Sequence, residues 1–410
     1  MEWKWIVLLI LSLGFVYRLL LNIVQYRSAG NPTPENVADV YDAETYQTWK
    51  RYCAEKGRLE IISELLSYAV SLALLLLNVY AAVASIFPGG VFMQIVAVIL
   101  LDALISLPVR VAVSYVENMV IEEKYGFNKT RKKTFVADRI REFLLELLLS
   151  VGLAGVLGGL HIALGNWLIL LFAIVMFLFS MVISFLYPVF SRIGNKFTPL
   201  EEGELRDCLM SLLTKHGYRV KAIEVMDASR RTTKMNAYFT GFGKMKTIVL
   251  YDNLVEGMST DEICAVFAHE LGHGLNRDVT KQQILNFGNL LLMGLVAWAA
   301  VSVPAVHTAF GFESVNYGFA SLLIGIGIGL IQPLTGIVTS AYSRRAEYRA
   351  DRQAVKEGYG PAMITGLKKL ARENFAHLAP ARALVILQYS HPPMSERIAA
   401  IEAEMSKKSE

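Results

Sequence analysis

Seven runs of this 410-residue chain stay apolar over the roughly 20 residues that a helix needs to cross about 30 Å of hydrocarbon. They extend approximately over Trp5–Val24, Ile61–Phe87, Val91–Tyr115, Phe143–Leu164, Trp167–Tyr187, Ile284–Val303 and Tyr317–Thr339. The first begins behind one lysine, as a secretory leader does. Its apolar stretch is longer than a leader's core and no small-residue cleavage site adjoins it, so it reads as a retained span. The composition requires such segments. With 54% hydrophobic and 19% charged residues, the chain holds more apolar material than one soluble core takes up.

The loops between these runs divide by charge. Pro88–Gly90, Gly165–Asn166 and Pro304–Asn316 carry no Lys or Arg. The alternate loops carry Arg27, Lys50, Arg51, Lys56 and Arg58, then Lys124, Lys129, Arg131, Lys132, Lys133, Arg139 and Arg141, then Arg192 and Lys196, and finally Arg344 and Arg345. The excess of positive charge on the cytoplasmic side then puts the N-terminus outside or in a lumen and the C-terminus in the cytoplasm. Residues 1–190 form a membrane domain of five helices, 191–283 a cytoplasmic segment, 284–340 helices six and seven, and 341–410 a second cytoplasmic segment. A net charge of +4 says little about partners, and no nucleic-acid-binding pattern is present.

Asp102 and Arg110 stand two turns apart on nearly one face of a span, with Glu117 and Asn118 just beyond. Asn78, Asn286, Asn289 and Gln332 also fall in spans. Such groups pair with each other or face water inside a bundle, so the bundle has a polar interior.

In the cytoplasmic insert, Glu201–His216 reads as a helix and Tyr218–Val225 as a strand. Lys234–Phe239 and Thr247–Tyr251 form a hairpin around Gly241-Phe-Gly243. Ser259-Thr-Asp-Glu262 is a capping box that opens a helix. On that helix lies Val266-Phe-Ala-His269-Glu270-Leu-Gly-His273, in which the two histidines share a face and can offer both imidazoles to one metal ion. Glu270, beside them, reaches a water on that metal as general base. The bare pattern arises by chance in roughly one such chain per hundred, so its partners decide. A catalytic Zn2+ takes three protein ligands and keeps a fourth position for water. No third histidine follows at a short spacing, since Asp278 and Val279 lie where it would be sought. Glu347, on the helix that emerges from the last span, is the expected third ligand. Asp351, one turn along, can hold a ligand histidine by its other ring nitrogen. His391, in Ser390-His-Pro-Pro393, is the expected donor to the oxyanion, with Arg397 behind it. His161, His216, His307 and His377 lack partners at ligand spacing and read as structural. Cys53, Cys208 and Cys264 form no CxxC pair and read as buried, unreactive thiols.

The sequence resembles the type I CAAX prenyl protease family of integral-membrane zinc peptidases. The resemblance rests on His269-Glu-Leu-Gly-His273, Glu347-xxx-Asp351, His391-Pro-Pro with Arg397, Asn236-Ala-Tyr-Phe-Thr-Gly, and Glu122-Glu-Lys-Tyr-Gly-Phe-Asn-Lys-Thr130 in the second basic loop. It implies seven helices around a large water-filled chamber, joined to a small α+β cytoplasmic zinc-peptidase domain. It also implies cleavage of the last three residues from a prenylated C-terminus, and for some members trimming at a site further upstream. Asn236, Ala237 and Tyr238 would align the substrate backbone by strand addition. The substrate is then a peptide or lipidated protein C-terminus met at the lipid bilayer. The membrane would be a bacterial inner membrane or, in a eukaryote, the endoplasmic reticulum. The closing Lys407-Lys-Ser-Glu410 has the form of a dilysine retrieval signal and equally that of a solvated charged tail.

Two other readings are weighed against this one. A quality-control membrane metalloprotease like those of the HtpX family would share the metal site on a shorter chain with fewer spans. A transporter with a structural metal would share the polar spans but leave Glu270 without a role.

Overall fold

The computed structural model describes residues 2–87, 90–192, 194–218, 220–240 and 247–409. The membrane half begins with α1 (Glu2–Ser28), α2 (Ala43–Leu76), α3 (Val79–Ile86) and α4 (Val91–Tyr115). A π-helical turn over Val116–Glu122 prolongs α4, and α5 (Lys132–Leu164) and α6 (Leu168–Ser191) follow. Six helices among the described residues are long and apolar enough to cross a membrane, and α6 adds a shorter apolar stretch, Leu170–Ile183. Their outer faces carry exposed Leu9, Leu66, Leu148, Ile162, Leu178 and Leu334. So many exposed aliphatic side chains on long helices suit a lipid solvent rather than water.

The second expected span is not one helix. It breaks at Asn78, whose backbone is left-handed (φ 54°) and whose side chain accepts a 2.9 Å hydrogen bond from Lys4 Nζ. Asparagine tolerates this conformation better than most residues, which the apolar run around it conceals.

The polar half is built on a four-stranded sheet of β1 (Phe197–Pro199), β2 (Ala222–Met226), β3 (Ala237–Thr240) and β4 (Thr247–Tyr251), in the order β1-β2-β4-β3. β2 and β4 run parallel, with Ala222 opposite Thr247, and β3 returns antiparallel to β4 with Ala237 opposite Leu250. β4 is central and buried at Thr247–Leu250, so it reads as an unbroken apolar run. β3 is an edge. The expected hairpin is thus present, although its turn at Gly241-Phe-Gly243 lies outside the described residues.

Between β1 and β2 lies α7 (Glu204–Lys215), and α8 (Asp252–Gly257) follows β4. Then come α9 (Thr260–Leu275), α10 (Asp278–Ser302), α11 (Pro304–Ala309) and α12 (Tyr317–Lys356). The chain ends with α13 (Gly360–Glu373), α14 (Arg382–Leu387) and α15 (Met394–Ser409). The capping box that opens α9 is formed in both directions: Glu262 N–H donates to Ser259 Oγ at 3.3 Å, and Ser259 N–H donates to Glu262 Oε2 at 2.9 Å.

One correction concerns the cysteines. Cys208 on α7 and Cys264 on α9 are joined, with their sulfurs 2.00 Å apart, and only Cys53 remains a free thiol. Widely spaced cysteines carry no sign of pairing, because the contact depends on α7 packing against α9.

The 40-residue α12 is the spine. Its first part packs on α1, α4, α5 and α10, and its last part on α9, α13, α14 and α15. Inside the membrane half lie hollows of about 500, 290 and 460 Å³. Asp102, Ser321 and Leu322 line both the first and the second, and Arg18 and Gly329 both the second and the third. Asp102 and Arg110 do not pair with each other. Asp102 accepts from Tyr80 Oη at 2.6 Å, and Arg110 bonds Glu146 across from α5.

Where α9 crosses α12, no side chain fits. A Cβ on Gly272 would lie 2.9 Å from Ala350 Cα and 2.9 Å from Gln353 Cβ. Gly272→Ala is expected to push the two helices apart, cost about 1–3 kcal/mol as an overpacked contact, and reduce the metal content of purified protein. Gly288→Ala, at a site with nothing within 4 Å, is the control and is expected to leave thermal unfolding and metal content unchanged.

Candidate metal centre

α9 presents His269 and His273 with ring centroids 4.8 Å apart and planes at 89°. α12 brings Glu347 up to them. His269 Nε2 stands 3.5 Å from Glu347 Oε2, and His273 Nε2 stands 3.3 Å from Glu347 Oε1. One ligand atom from each of the three residues lies within 4.8 Å of the others. Ligands about 2.0–2.1 Å from a tetrahedral ion are separated by roughly 3.3–3.4 Å, so the carboxylate-to-imidazole spacings match the edges of such a site.

Both outer ring nitrogens are already engaged. His269 Nδ1 is 2.8 Å from Asp351 Oδ1, and His273 Nδ1 is 3.2 Å from Asp278 Oδ2. A carboxylate there fixes the tautomer and leaves Nε2 with its lone pair free for a cation. Glu347 Oε2 is buried and has no hydrogen-bond partner. A buried carboxylate with one oxygen toward each imidazole Nε2, and with no hydrogen bond on Oε2, fits a divalent metal ion.

Asp278 was not anticipated as a partner of His273. It stands in the first turn of α10 because Arg277 takes the left-handed conformation (φ 54°) and reverses the chain sharply after α9. Arg349 and Tyr342 hold its other oxygen, at 2.7 and 2.8 Å. The only sequence signal was an acid five residues beyond the second histidine.

Arg397 is buried and turned toward the interior of the protein. It donates to both oxygens of Asp351, from Nε at 2.9 Å and Nη2 at 2.6 Å, while its Nη1 lies 3.4 Å from Glu347 Oε2. It therefore backs Asp351 and Glu347 rather than His391. His391 is exposed, with Nε2 3.3 Å from Glu347 Oε1 and Nδ1 2.9 Å from Ser390 Oγ.

Glu270 is half-buried and lines a small hollow together with Ala237 and Tyr238 of β3 and Val266 and Phe267 of α9. The edge strand therefore lies against α9. Asn236 precedes it, receiving Ala237 N–H on Oδ1 at 2.9 Å and Tyr251 N–H on its carbonyl at 3.1 Å. The other histidines have structural partners. His161 bonds Tyr317, His216 bonds Glu357, His307 bonds the Ala300 carbonyl, and His377 bonds Ser28.

Burial alone would lower the pKa of His273, but hydrogen bonding and charge from Glu347, then Asp278, outweigh it and push the imidazole up to about 9. The metal-free site thus holds a proton at neutral pH that a cation must displace. Metal uptake at pH 7 is expected to release about one proton from this residue, with apparent affinity rising roughly tenfold per pH unit and levelling off above pH 9. Calorimetric titrations in two buffers of different ionisation enthalpy measure that count. Asp278→Ala and Asp351→Ala are each expected to weaken metal binding by about 10–100-fold in the same titration.

A profile described as CAAX prenyl protease N-terminal, five membrane helices, matches residues 22–192, and the profile of peptidase family M48 matches residues 199–405. A CAAX prenyl protease 1 homolog of Oryza sativa is 30% identical, over 98% of this chain and 98% of its own length. The CAAX prenyl protease 1 of Saccharomyces cerevisiae is also 30% identical, over 99% of this chain and 96% of its own. The crystal structure of S. mikatae Ste24p superposes with a TM-score of 0.90 at 26% identity, covering 98% of this chain and 99% of that one. Two catalytic-type histidines, a buried glutamate and a multi-pass apolar bundle thus occur together in a chain that belongs to the CAAX prenyl protease family, within peptidase family M48, and is a membrane metallopeptidase.

Proposed function

We propose that the chain is a zinc endopeptidase that hydrolyses peptide bonds near the C-terminus of prenylated proteins. The observation that carries this reading is the arrangement of His269, His273 and Glu347, each aimed at a common point and each supported from behind. A zinc ion held there supplies a Lewis acid that lowers the pKa of a coordinated water to about 7 and polarises the scissile carbonyl. Glu270 takes the proton from the attacking water and returns it to the leaving amine. His391, exposed beside Glu347, donates a hydrogen bond to the developing oxyanion. Arg397 and Asp351 act as positioning residues, holding His269 and Glu347 in place. Asn236, Ala237 and Tyr238 present the outer edge of β3, the last strand in the sheet order, to an extended peptide, whose main chain adds to the sheet.

Seven spans are the favoured count. Support comes from the six long apolar helices, the additional apolar stretch in α6, and a charge pattern in which alternate loops are basic, which puts all the basic loops on one side. The domain limits 1–190, 191–283, 284–340 and 341–410 follow from the same count, with the C-terminus cytoplasmic. The adjoining hollows lined by Asp102, Arg110, Arg18 and Gln332 favour a water-filled chamber. A likeness that spans nearly the whole chain favours CAAX processing over HtpX-type quality control.

The test compares a farnesylated C-terminal peptide with unfolded casein as substrates. Cleavage of the farnesylated peptide, with casein left intact, is expected. Glu270→Gln is expected to keep its zinc, measured by elemental analysis, and to lose about 10²–10⁴-fold in kcat. Full activity of that variant with zinc bound would overturn the proposed mechanism.

A further inference from the structure

The loop Glu122-Glu-Lys-Tyr-Gly-Phe-Asn-Lys-Thr130 has no part in the chemistry above, yet it touches the one segment that leads into the substrate strand. Among the described residues β3 has a sheet partner on one side only, β4. Besides that pairing, its position depends on its lead, residues 232–236. That lead is gripped from three directions. Asn253 Nδ2 donates to the Thr232 and Lys234 carbonyls at 3.4 and 2.9 Å. Asn374 receives Met235 N–H at 3.2 Å and donates to the Met235 carbonyl at 3.4 Å, as a neighbouring strand would.

The third grip comes from the membrane half. Asn128 forms an isolated antiparallel bridge with Thr232. Lys234 Nζ lies 5.2 Å over the Phe127 ring and 3.5 Å from Glu122 Oε2. Glu122 is buried at the end of the π-helical turn. Its Oε1 is taken by α2, through Tyr52 Oη at 2.6 Å and Lys56 Nζ at 3.4 Å, which leaves Oε2 for Lys234. The Glu122 carbonyl also closes the loop, accepting from Phe127 N–H at 2.8 Å and Asn128 N–H at 3.1 Å. π-Helical turns are rare and occur frequently at functional sites.

We propose that Glu122 is a positioning residue for the reaction: acting through Lys234, it ties the substrate strand to the membrane half and so sets which bond of a bound peptide lies over Glu270. The inference rests on the reading of β3 as the strand that a substrate joins. A residue step along a strand is about 3.3 Å, so a small slide of β3 brings a different peptide bond to the metal. Misplacement of about 1 Å already costs on the order of 100-fold in rate.

The experiment uses the full-length enzyme in proteoliposomes with a farnesylated peptide extended on both sides of the cut. Products are identified by mass spectrometry, and amide exchange is followed over residues 232–240. Glu122→Gln and Lys234→Met are expected to lower kcat/KM about tenfold and to raise off-register products relative to the main one about tenfold, through misalignment of the strand. Exchange at 232–240 rises while metal content is unchanged. Lys234→Arg, which keeps the charge and can still lie over Phe127, is expected to restore the wild-type ratio.

The product ratio does not depend on how much enzyme is folded, so a merely structural role would leave it unmoved. Wild-type product ratios and wild-type exchange in both Glu122→Gln and Lys234→Met would overturn the proposal. Should Glu122→Gln fail to fold, Lys234→Met decides, because that side chain is partly exposed. If the wild-type enzyme leaves the peptide uncut, the proposed function fails, and the exchange measurements alone decide whether Glu122 positions β3.

Discussion

The close approach of α9 and α12 at Gly272 and Ala350 is the constraint on which the rest is built. The two helix axes come nearer here than most side chains allow, and a glycine between the two histidines provides that clearance. The crossing places Glu347 opposite both Nε2 atoms and Asp351 behind His269 in one step, because both acids lie on the same face of α12. α10 then supplies the matching support for His273 from the other side. The result is a site in which each imidazole of α9 has its Nδ1 held by a carboxylate and its Nε2 turned toward Glu347. Such pre-organisation spares the protein the entropy of collecting ligands at the moment of binding.

Much of this was legible in the sequence. The capping box and the two histidines were read on a helix, and Glu347 with Asp351 on another, because local spacing determines which side chains share a face. The spans were legible for a similar reason, since hydrocarbon thickness sets a length that composition displays. What escaped was set by backbone conformation or by long-range packing. Asp278 reaches His273 only through the left-handed Arg277, and the second apolar run breaks only because Asn78 adopts the same conformation. Neither residue type demands it. β1, three residues long, has no periodicity to detect, and the Cys208–Cys264 pair depends on α7 meeting α9. Arg397 was read behind His391, and its bonds to Asp351 could not be read from the spacing.

Four polar groups of the membrane half follow one rule. Asp102 has Tyr80, Arg110 has Glu146, Arg18 has Glu64, and Lys4 has Asn78 and the Leu76 carbonyl. Each pair ties different helices together or caps a break. None repeats the simple i, i+8 pairing that the sequence of α4 suggests. Polar residues on helix surfaces that face a hollow find partners across it, so spacing along one helix is a poor guide to pairing in a bundle.

α12 is both a span and the carrier of Glu347. At 40 residues it is about 60 Å long, and it is interrupted only by Pro333. Its apolar part must match the thickness of whatever bilayer surrounds it, and a helix meets a mismatch by tilting or kinking. A tilt at one end of a rod becomes a displacement at the other. The thickness of the surrounding bilayer and the position of Glu347 are thus coupled through one helix, since a tilt of the apolar part of α12 would carry its polar part with it.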